Sequence, residues 1–295
     1  MSVVKPRYYQ DEQINSGSKA IIQGLNPIVA SPTASGKSIV LCGLVDEIIS
    51  LKPLWNILIL SHVKEILDQN HIALEEYFNI DIGLYSAGLD TKTIKKITVA
   101  SIQSANAKKD LFKHFDLILI DEAHRVSFDK NTSYRAFVSH VEAQCCGLTA
   151  TNYRTKGGYL HEGEDSLFDH LASDWTQLEK FNELTEEGFL SEIFSKKTML
   201  KMETTGIKSI GGDFKSKELS AKFDRDNITT AAIMESIHFG RNYNSWLCFA
   251  IDIEHCNNIA KELNSKGITA IAIHSKMENR DKAIQDFKDG KYRFV

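Results

Sequence analysis

Ser31-Pro-Thr-Ala-Ser-Gly-Lys-Ser38 stands directly after the apolar run Pro27-Ile-Val-Ala30 and opens a helical stretch from Lys37 to about Ser50. In that stretch Val40, Leu41, Leu44, Val45, Ile48 and Ile49 fall on one stripe. The order is strand, tight loop, helix. Such a loop turns backbone N–H groups inward around a phosphate, with Lys37 for the outer phosphates and the Ser38 hydroxyl for a divalent cation. The helix N-terminus adds free N–H groups and the positive end of its dipole. Two positions depart from the usual pattern: Ser31 replaces Gly or Ala at the first, and Ala34 stands where glycine is common. A Gly-Lys-Ser turn that only caps a helix has the same local pattern, so the rest of the chain decides.

Working outward, further apolar runs alternate with helical segments. Trp55-Asn-Ile-Leu-Ile-Leu60 predicts a buried strand ending at Ser61-His62, followed by a helix from about Val63 to Phe78. Ile82–Tyr85, Lys95–Ser101, Phe115–Ile120 and Cys145–Thr151 predict further strands. The pattern is a parallel sheet covered on both faces. Ligands collect at the carboxyl ends of such strands, and the polar groups fall there: Ser101 and Gln103, Asp121-Glu-Ala-His124, Thr149-Ala-Thr151. Asp121 is placed to hold Mg²⁺ opposite Ser38, and Glu122 to orient and deprotonate an attacking water. Near the N-terminus, Gln10 has the amide that could read an adenine edge, with a solvated helix start as the plain alternative.

Composition limits the rest. The chain has 295 residues, 42% hydrophobic and 25% charged, with only four prolines, which suits about two ordinary globular domains. The longest apolar runs are far too short to span a bilayer. The N-terminus lacks the apolar core of a signal peptide. None of the five cysteines makes a C-x-x-C pair, so neither a zinc ribbon nor a disulfide framework is expected, and the reading is a reducing, cytoplasmic compartment. Net charge is −4, so any nucleic-acid path is a local groove rather than a basic body.

Taken as an ordered set, these motifs resemble superfamily 2 helicases of the DEAD/DEAH type. Ser31–Ser38, Asp121–His124 and Gly147-Leu-Thr-Ala-Thr-Asn-Tyr-Arg154 are similar to their motifs I, II and III. Arg7-Tyr-Tyr-Gln10 looks like their adenine-reading element. Ser61–Ile66 and Thr98–Ser104 look like the strand-end motifs that touch the nucleic-acid backbone. Gly188-Phe-Leu, Gly211-Gly-Asp-Phe214, Ser245–Asp252 and Ile273-His-Ser275 resemble RadD-like and type III restriction-type DNA helicases. Motif III commonly ends in proline; Asn152 stands there, which removes a fixed φ.

The resemblance implies an α/β, RecA-like phosphate-loop NTPase with a doubly wound parallel sheet, followed by a partial second RecA-like domain. The expected limits are 1–155 for the first domain, 156–240 for a connecting segment and 241–295 for the first half of the second. The connecting segment reads as glycine-rich loops at Lys156-Gly-Gly-Tyr159 and Ile210–Phe214 and helices at Leu219–Phe223 and Ile228–Phe239. Residues 241–295 read as strands at Ser245–Ile251 and Thr269–Ile273, helices at Glu254–Lys266 and Asn279–Lys288, and a third strand opening at Tyr292 as an abrupt sheet edge. The motifs V and VI of such helicases would follow Val295, so a fragment or truncated product is the expectation.

The implied activity is ATP-dependent, Mg²⁺-requiring translocation or unwinding on nucleic acid, with DNA favoured over RNA and no membrane. Arg7, Gln10 and the loop Pro32, Thr33, Ala34, Ser35, Gly36, Lys37 and Ser38 would hold ATP; Ser38 and Asp121 would hold Mg²⁺. Glu122, Lys37 and His124 would act in catalysis, and Thr149 and Thr151 would couple the sites. His62, Ser101, Gln103 and Arg154 would meet the nucleic acid, joined by His274 and Ser275 from the second domain. Two alternatives remain: a non-catalytic ATP- and nucleic-acid-binding module lacking the arginine half of the site, and an RNA helicase.

Overall fold

The computed structural model describes residues 5–154, 158–196, 209–210, 213–214 and 228–295. Within it the chain forms two compact units, Met1–Ile193 and Phe194–Val295.

The first unit is built on an eight-stranded sheet. Its strands are β1 (Pro27–Ala30), β2 (Ile57–Ser61), β3 (Gly83–Ser86), β4 (Thr91–Lys92), β5 (Ile97–Ser101), β6 (Leu117–Asp121), β7 (Gln144–Thr149) and, after a small hairpin of β8 (Tyr153–Arg154) and β9 (Gly158–Tyr159), β10 (His170–Asp174). The order is β10-β1-β7-β6-β2-β5-β3-β4, parallel throughout except for the β3/β4 edge pair. Every residue of β1, β2 and β6 is buried. Because side chains alternate across a strand, these continuous apolar runs feed two cores at once. Leu58, Leu60, Ile118 and Ile120 pack with Ala105 of α4 (Ile102–Asn106) and with Phe137 and Val138 of α5 (Ser133–Val141). Ile57, Ile59, Leu117 and Leu119 pack on the other face with Ile14 and Ile21 of α1 (Tyr8–Ile22), Leu41 and Leu44 of α2 (Lys37–Leu51), and Leu67 and Leu74 of α3 (Lys64–Phe78). Each fully buried Leu or Ile contributes roughly 1.5–3 kcal/mol, so the strands are secured from both sides.

The apolar runs agree with the strands they suggested, but two features lie outside that reading. Strand β10 pairs parallel with β1, Ala30 opposite Asp174. His170-Leu-Ala-Ser-Asp174 is half polar because an edge strand has one open rim and only Ser173 is buried. Helix α6 (Leu178–Glu186) follows it and packs with Tyr9, Trp175 and Leu190. The first unit therefore continues to Ile193, through residues that the sequence assigned to a connecting segment beginning at 156. Gly211-Gly212, Lys156-Gly157 and the expected helix Leu219–Phe223 lie outside the described residues.

In the second unit, helices Ile228–Gly240, Ile253–Ser265 and Arg280–Lys288 match the expected ones closely. The three expected strands are reduced to isolated parallel bridges, Trp246 with Phe294 and Ala270 with Phe294. The order also corrects the sequence reading. Tyr292–Val295 is no edge: Trp246 N donates to Arg293 O (2.8 Å) on one side, and Ile271 N to Phe294 O (3.1 Å) on the other. Ile233, Ile259, Leu263, Ala270 and Phe294 form the small core.

Candidate nucleotide site at the strand ends

The loop after β1 is held by the helix before it. Ser35 O accepts from both Tyr9 Oη (2.8 Å) and Gln10 Nε2 (2.8 Å), while Ser35 Oγ donates to Pro32 O (2.7 Å). Ser31 Oγ donates to the buried Gln13. Gly36 has φ +85°, and a Cβ there would meet Gln10 Nε2 at 2.5 Å, so glycine is required on two counts. Ala34 also has a left-handed φ of 68°, the backbone that glycine serves without strain. Thr33 and Ala34 are exposed at the loop tip.

Lys37, at the start of α2, brings the loop to the acids. Its Nζ lies 2.7 Å from Glu122 Oε1 and 4.0 Å from Asp121 Oδ1. Asp121 is buried at the end of β6; its Oδ2 accepts from Asn70 Nδ2 (2.8 Å) and its Oδ1 from Glu122 N (2.9 Å). Glu122 has a φ of 56°, which turns the chain off the strand. His124 Nδ1 is 3.1 Å from Thr149 Oγ1 and 3.3 Å from Glu122 Oε2. The Thr149 hydroxyl gives its single hydrogen to Thr151 O (2.9 Å), so the imidazole is the donor and carries its hydrogen on Nδ1. Burial lowers the His124 pKa; Arg125, Lys37 and Arg154 lower it further against the opposing pull of Glu122.

The remaining strand-end residues ring this centre. His62 follows β2, and both its ring nitrogens are buried without a hydrogen-bond partner. Burial first, then Arg125 and His124, hold its pKa low. Ser101 caps α4, accepting from Ser104 N (3.2 Å), and Gln103 is exposed on that helix. Arg154 Nη1 donates to Val126 O (2.8 Å). Arg7 caps α1 and lies with its guanidinium 4.5 Å from the centre of the Phe189 ring. Gln10 is almost wholly buried, and its amide is engaged at both ends, by Ser35 O and by Arg7 N (2.9 Å). Ser38 is half-buried at the first turn of α2. His274 and Ser275 belong to the second unit, where His274 O accepts from Met277 N (3.2 Å).

The sequence reading passed over Asn70, Arg125 and Asp174, and quoted Tyr9 inside Arg7–Gln10 without a role of its own. Asn70 had a visible signal: with Leu67 and Leu74 it falls on the buried face of α3, a polar residue on an apolar stripe. Tyr9 and Asp174 had none, since their partners lie 26 and 22 residues away in the chain.

The donor set suits a small hard cation. Ser38 carries a hydroxyl oxygen and Asp121 carboxylate oxygens, which could serve such a cation as ligands. Mg²⁺ is bound in this way, by one or two protein oxygens plus substrate phosphates, rather than in an all-protein cage.

Residues 3–154 match the profile of a family described as type III restriction enzyme, res subunit. The chain belongs to this family. Over 309 aligned residues it is 26% identical to a protein named "Putative mitochondrial ATP-dependent helicase irc3" from Schizosaccharomyces pombe, covering 98% of this chain and 48% of that protein. It is 27% identical to the type I restriction enzyme EcoKI endonuclease subunit of Escherichia coli K12, over 51% of this chain and 16% of that protein. The chain thus spans about half the length, or less, of these relatives. The helicase domain of Pyrococcus furiosus Hef has the same fold, with a TM-score of 0.51 at 14% identity, covering 98% of this chain and 84% of that one. The family assignment and the mostly parallel sheet agree with a RecA-like fold. No helix among the described residues is long and apolar enough to cross a membrane.

Proposed function

We propose that this chain binds ATP with Mg²⁺ at the Ser31–Ser38 loop and uses its hydrolysis to move on or remodel nucleic acid, DNA in preference to RNA. One observation carries the reading. A loop lysine and two carboxylates from a different strand converge within 2.7–4.0 Å at the carboxyl edge of a parallel sheet. The family and the relatives' names support ATP as the nucleotide and nucleic acid as the partner.

In this reading Lys37 leaves Glu122 and neutralises the outer phosphates, while N–H groups of the loop and the α2 N-terminus face the others. Ser38 and Asp121 hold the cation, Asp121 being aimed by Asn70. A bound Mg²⁺ supplies charge neutralisation on the phosphate oxygens. Glu122, released from Lys37, orients and deprotonates water, and His124 links it to Thr149. His62, Ser101, Gln103 and Arg154 on the first unit, and His274 and Ser275 on the second, meet the nucleic-acid backbone.

Calorimetry tests the site. Wild type should bind ATP·Mg²⁺, and Lys37→Ala should abolish or severely weaken that binding. Equal affinity for the two proteins overturns the reading. Competition between DNA and RNA oligonucleotides of one sequence tests the preference.

A further inference from the structure

Strand β1 feeds the phosphate loop, and its last residue, Ala30, has a neighbour on each side. Thr149 of β7 lies opposite it on one flank and Asp174 of β10 on the other. The backbone continues both pairings into the loop: Ser31 N donates to Thr149 O (2.9 Å), and Trp175 N donates to Ala30 O (2.9 Å). Asn152, three residues beyond Thr149, then reaches back across the end of β1. Its Nδ2 donates to Asp174 Oδ2 at 2.9 Å. The bond closes a ring around the Ala30–Ser31 junction, running from Thr149 through Asn152 and Asp174 to Trp175 and back.

Both partners are committed to it. Asn152 is 4% exposed. The other oxygen of Asp174 accepts from Thr176 N (2.9 Å) and Thr176 Oγ1 (2.6 Å). Thr151, one residue before Asn152, and Thr176, two residues after Asp174, line a cavity of about 440 Å³ together with Pro32, Thr33 and Ala34 of the loop. The segment that Asn152 anchors also touches the turn that carries the acids. Thr149 meets His124, and Arg154 meets Val126, just beyond the acids. A proline at 152 would have no amide to make this tie.

Resting on the ATP-site reading above, we propose that Asn152 and Asp174 are a positioning pair that locks the Thr149–Arg154 segment to the root of the phosphate loop and sets how strongly nucleotide and nucleic acid binding communicate. Neither residue touches a reacting atom. When the loop closes on phosphates, the ring carries its displacement to Thr149 and Arg154 as one body. With the ring open, β7 and β10 keep their ladders with β1, but the segment beyond β7 no longer follows the loop.

The test is a double swap in the full 295-residue chain. Asn152→Asp sets carboxylate against carboxylate, and Asp174→Asn leaves one oxygen where Asp174 has two, one of them held by Thr176. The double variant restores one donor and one acceptor with the order reversed. The readout is the affinity of a labelled single-stranded DNA oligonucleotide with and without a non-hydrolysable ATP analogue and Mg²⁺. Wild type is expected to show a coupling of about 5- to 150-fold, Asn152→Asp about 2-fold or less, and Asp174→Asn a value between them. Nucleotide affinity without DNA stays within about 2-fold in all of them, and the double variant recovers most of the coupling. An Asn152→Asp variant that couples like wild type overturns the proposal. So does a double variant that stays uncoupled while its melting temperature returns to that of wild type, or a wild type that binds both ligands without coupling. A wild type that binds no nucleotide overturns the site reading itself.

Discussion

The two units are made from the same kind of sequence, yet among the described residues only the first holds a full sheet. In the first, Ile57–Leu60 and Leu117–Ile120 are wholly buried, with α1–α3 on one face and α4 and α5 on the other. In the second, Trp246-Leu-Cys-Phe-Ala250 is just as apolar, but only alternate residues are covered. Trp246, Cys248 and Ala250 pack with Ile259 and Leu263, whereas Leu247 is 66% and Phe249 88% exposed. The backbone there forms bridges and no extended ladder. An apolar run becomes a regular strand when both of its faces are packed and both of its edges are paired.

Strain divides the same way. All five non-glycine residues with positive φ among the described residues, including Ala34 and Glu122, lie in the first unit. Strained backbone persists where surrounding structure over-determines it, and a fully packed sheet does so.

The largest expected effect tests the packing half of this contrast. Leu119→Ala should destabilise the first unit by about 2–5 kcal/mol, as buried Leu truncations do. Phe249→Ser should change stability by no more than about 0.5 kcal/mol. Chemical denaturation followed by circular dichroism checks both, and similar losses at the two sites would erase the distinction.

A second prediction concerns the acid turned out by its positive φ. Glu122 Oε1 lies 2.7 Å from Lys37 Nζ, so in the proposed reading a nucleotide competes with it for the lysine. Glu122→Gln should therefore tighten ATP binding by several-fold, about 1 kcal/mol for a partly exposed pair, while hydrolysis is lost. Calorimetry with the variant decides; weaker binding would mean that Glu122 helps to hold the nucleotide.

Ala34→Gly sharpens the strain argument. Relief of a left-handed alanine is worth roughly 1–2 kcal/mol, and the freer unfolded glycine removes about 0.4–1 of it. A net gain of about 0.5–1 kcal/mol in thermal or denaturant unfolding is expected. A loss would show that the loop gains nothing from glycine at this position.

The smallest effect is a pH slope. His62 has a lowered folded-state pKa, chiefly through burial, so the unfolded chain binds its proton more readily. Stability from this group is fully present above the unfolded value near 6.5 and falls as pH drops below it toward the folded value. His62→Gln should flatten the decline in melting temperature between about pH 7 and pH 5.5. An unchanged slope would mean that the imidazole protonates freely in the folded chain.

Much of this protein was legible along the chain. Continuous apolar runs such as Trp55–Leu60 and Phe115–Ile120 announced buried parallel strands, because strands covered on both faces carry no polar alternation. Lys37 could be named from the loop pattern, and Asp121 and Glu122 placed near it because loop and acids each follow such a run, and strand ends in a parallel sheet share one edge. Local chemistry settles what occurs within a few residues: a strand, a helix stripe, a glycine at a turn. Only the tertiary structure decided the rest. His170–Asp174 became a strand because β1 offered it an unpaired edge, which its own polar residues could not reveal. Tyr292–Val295 became a centre instead of an edge because two distant segments paired with it. Asn152, conspicuous in the sequence only as a missing proline, became a tether because Asp174, 22 residues on, ends a strand on the far side of β1. Pairing across such distances depends on where the sheet brings backbone edges together, and spacing along the chain carries no record of it.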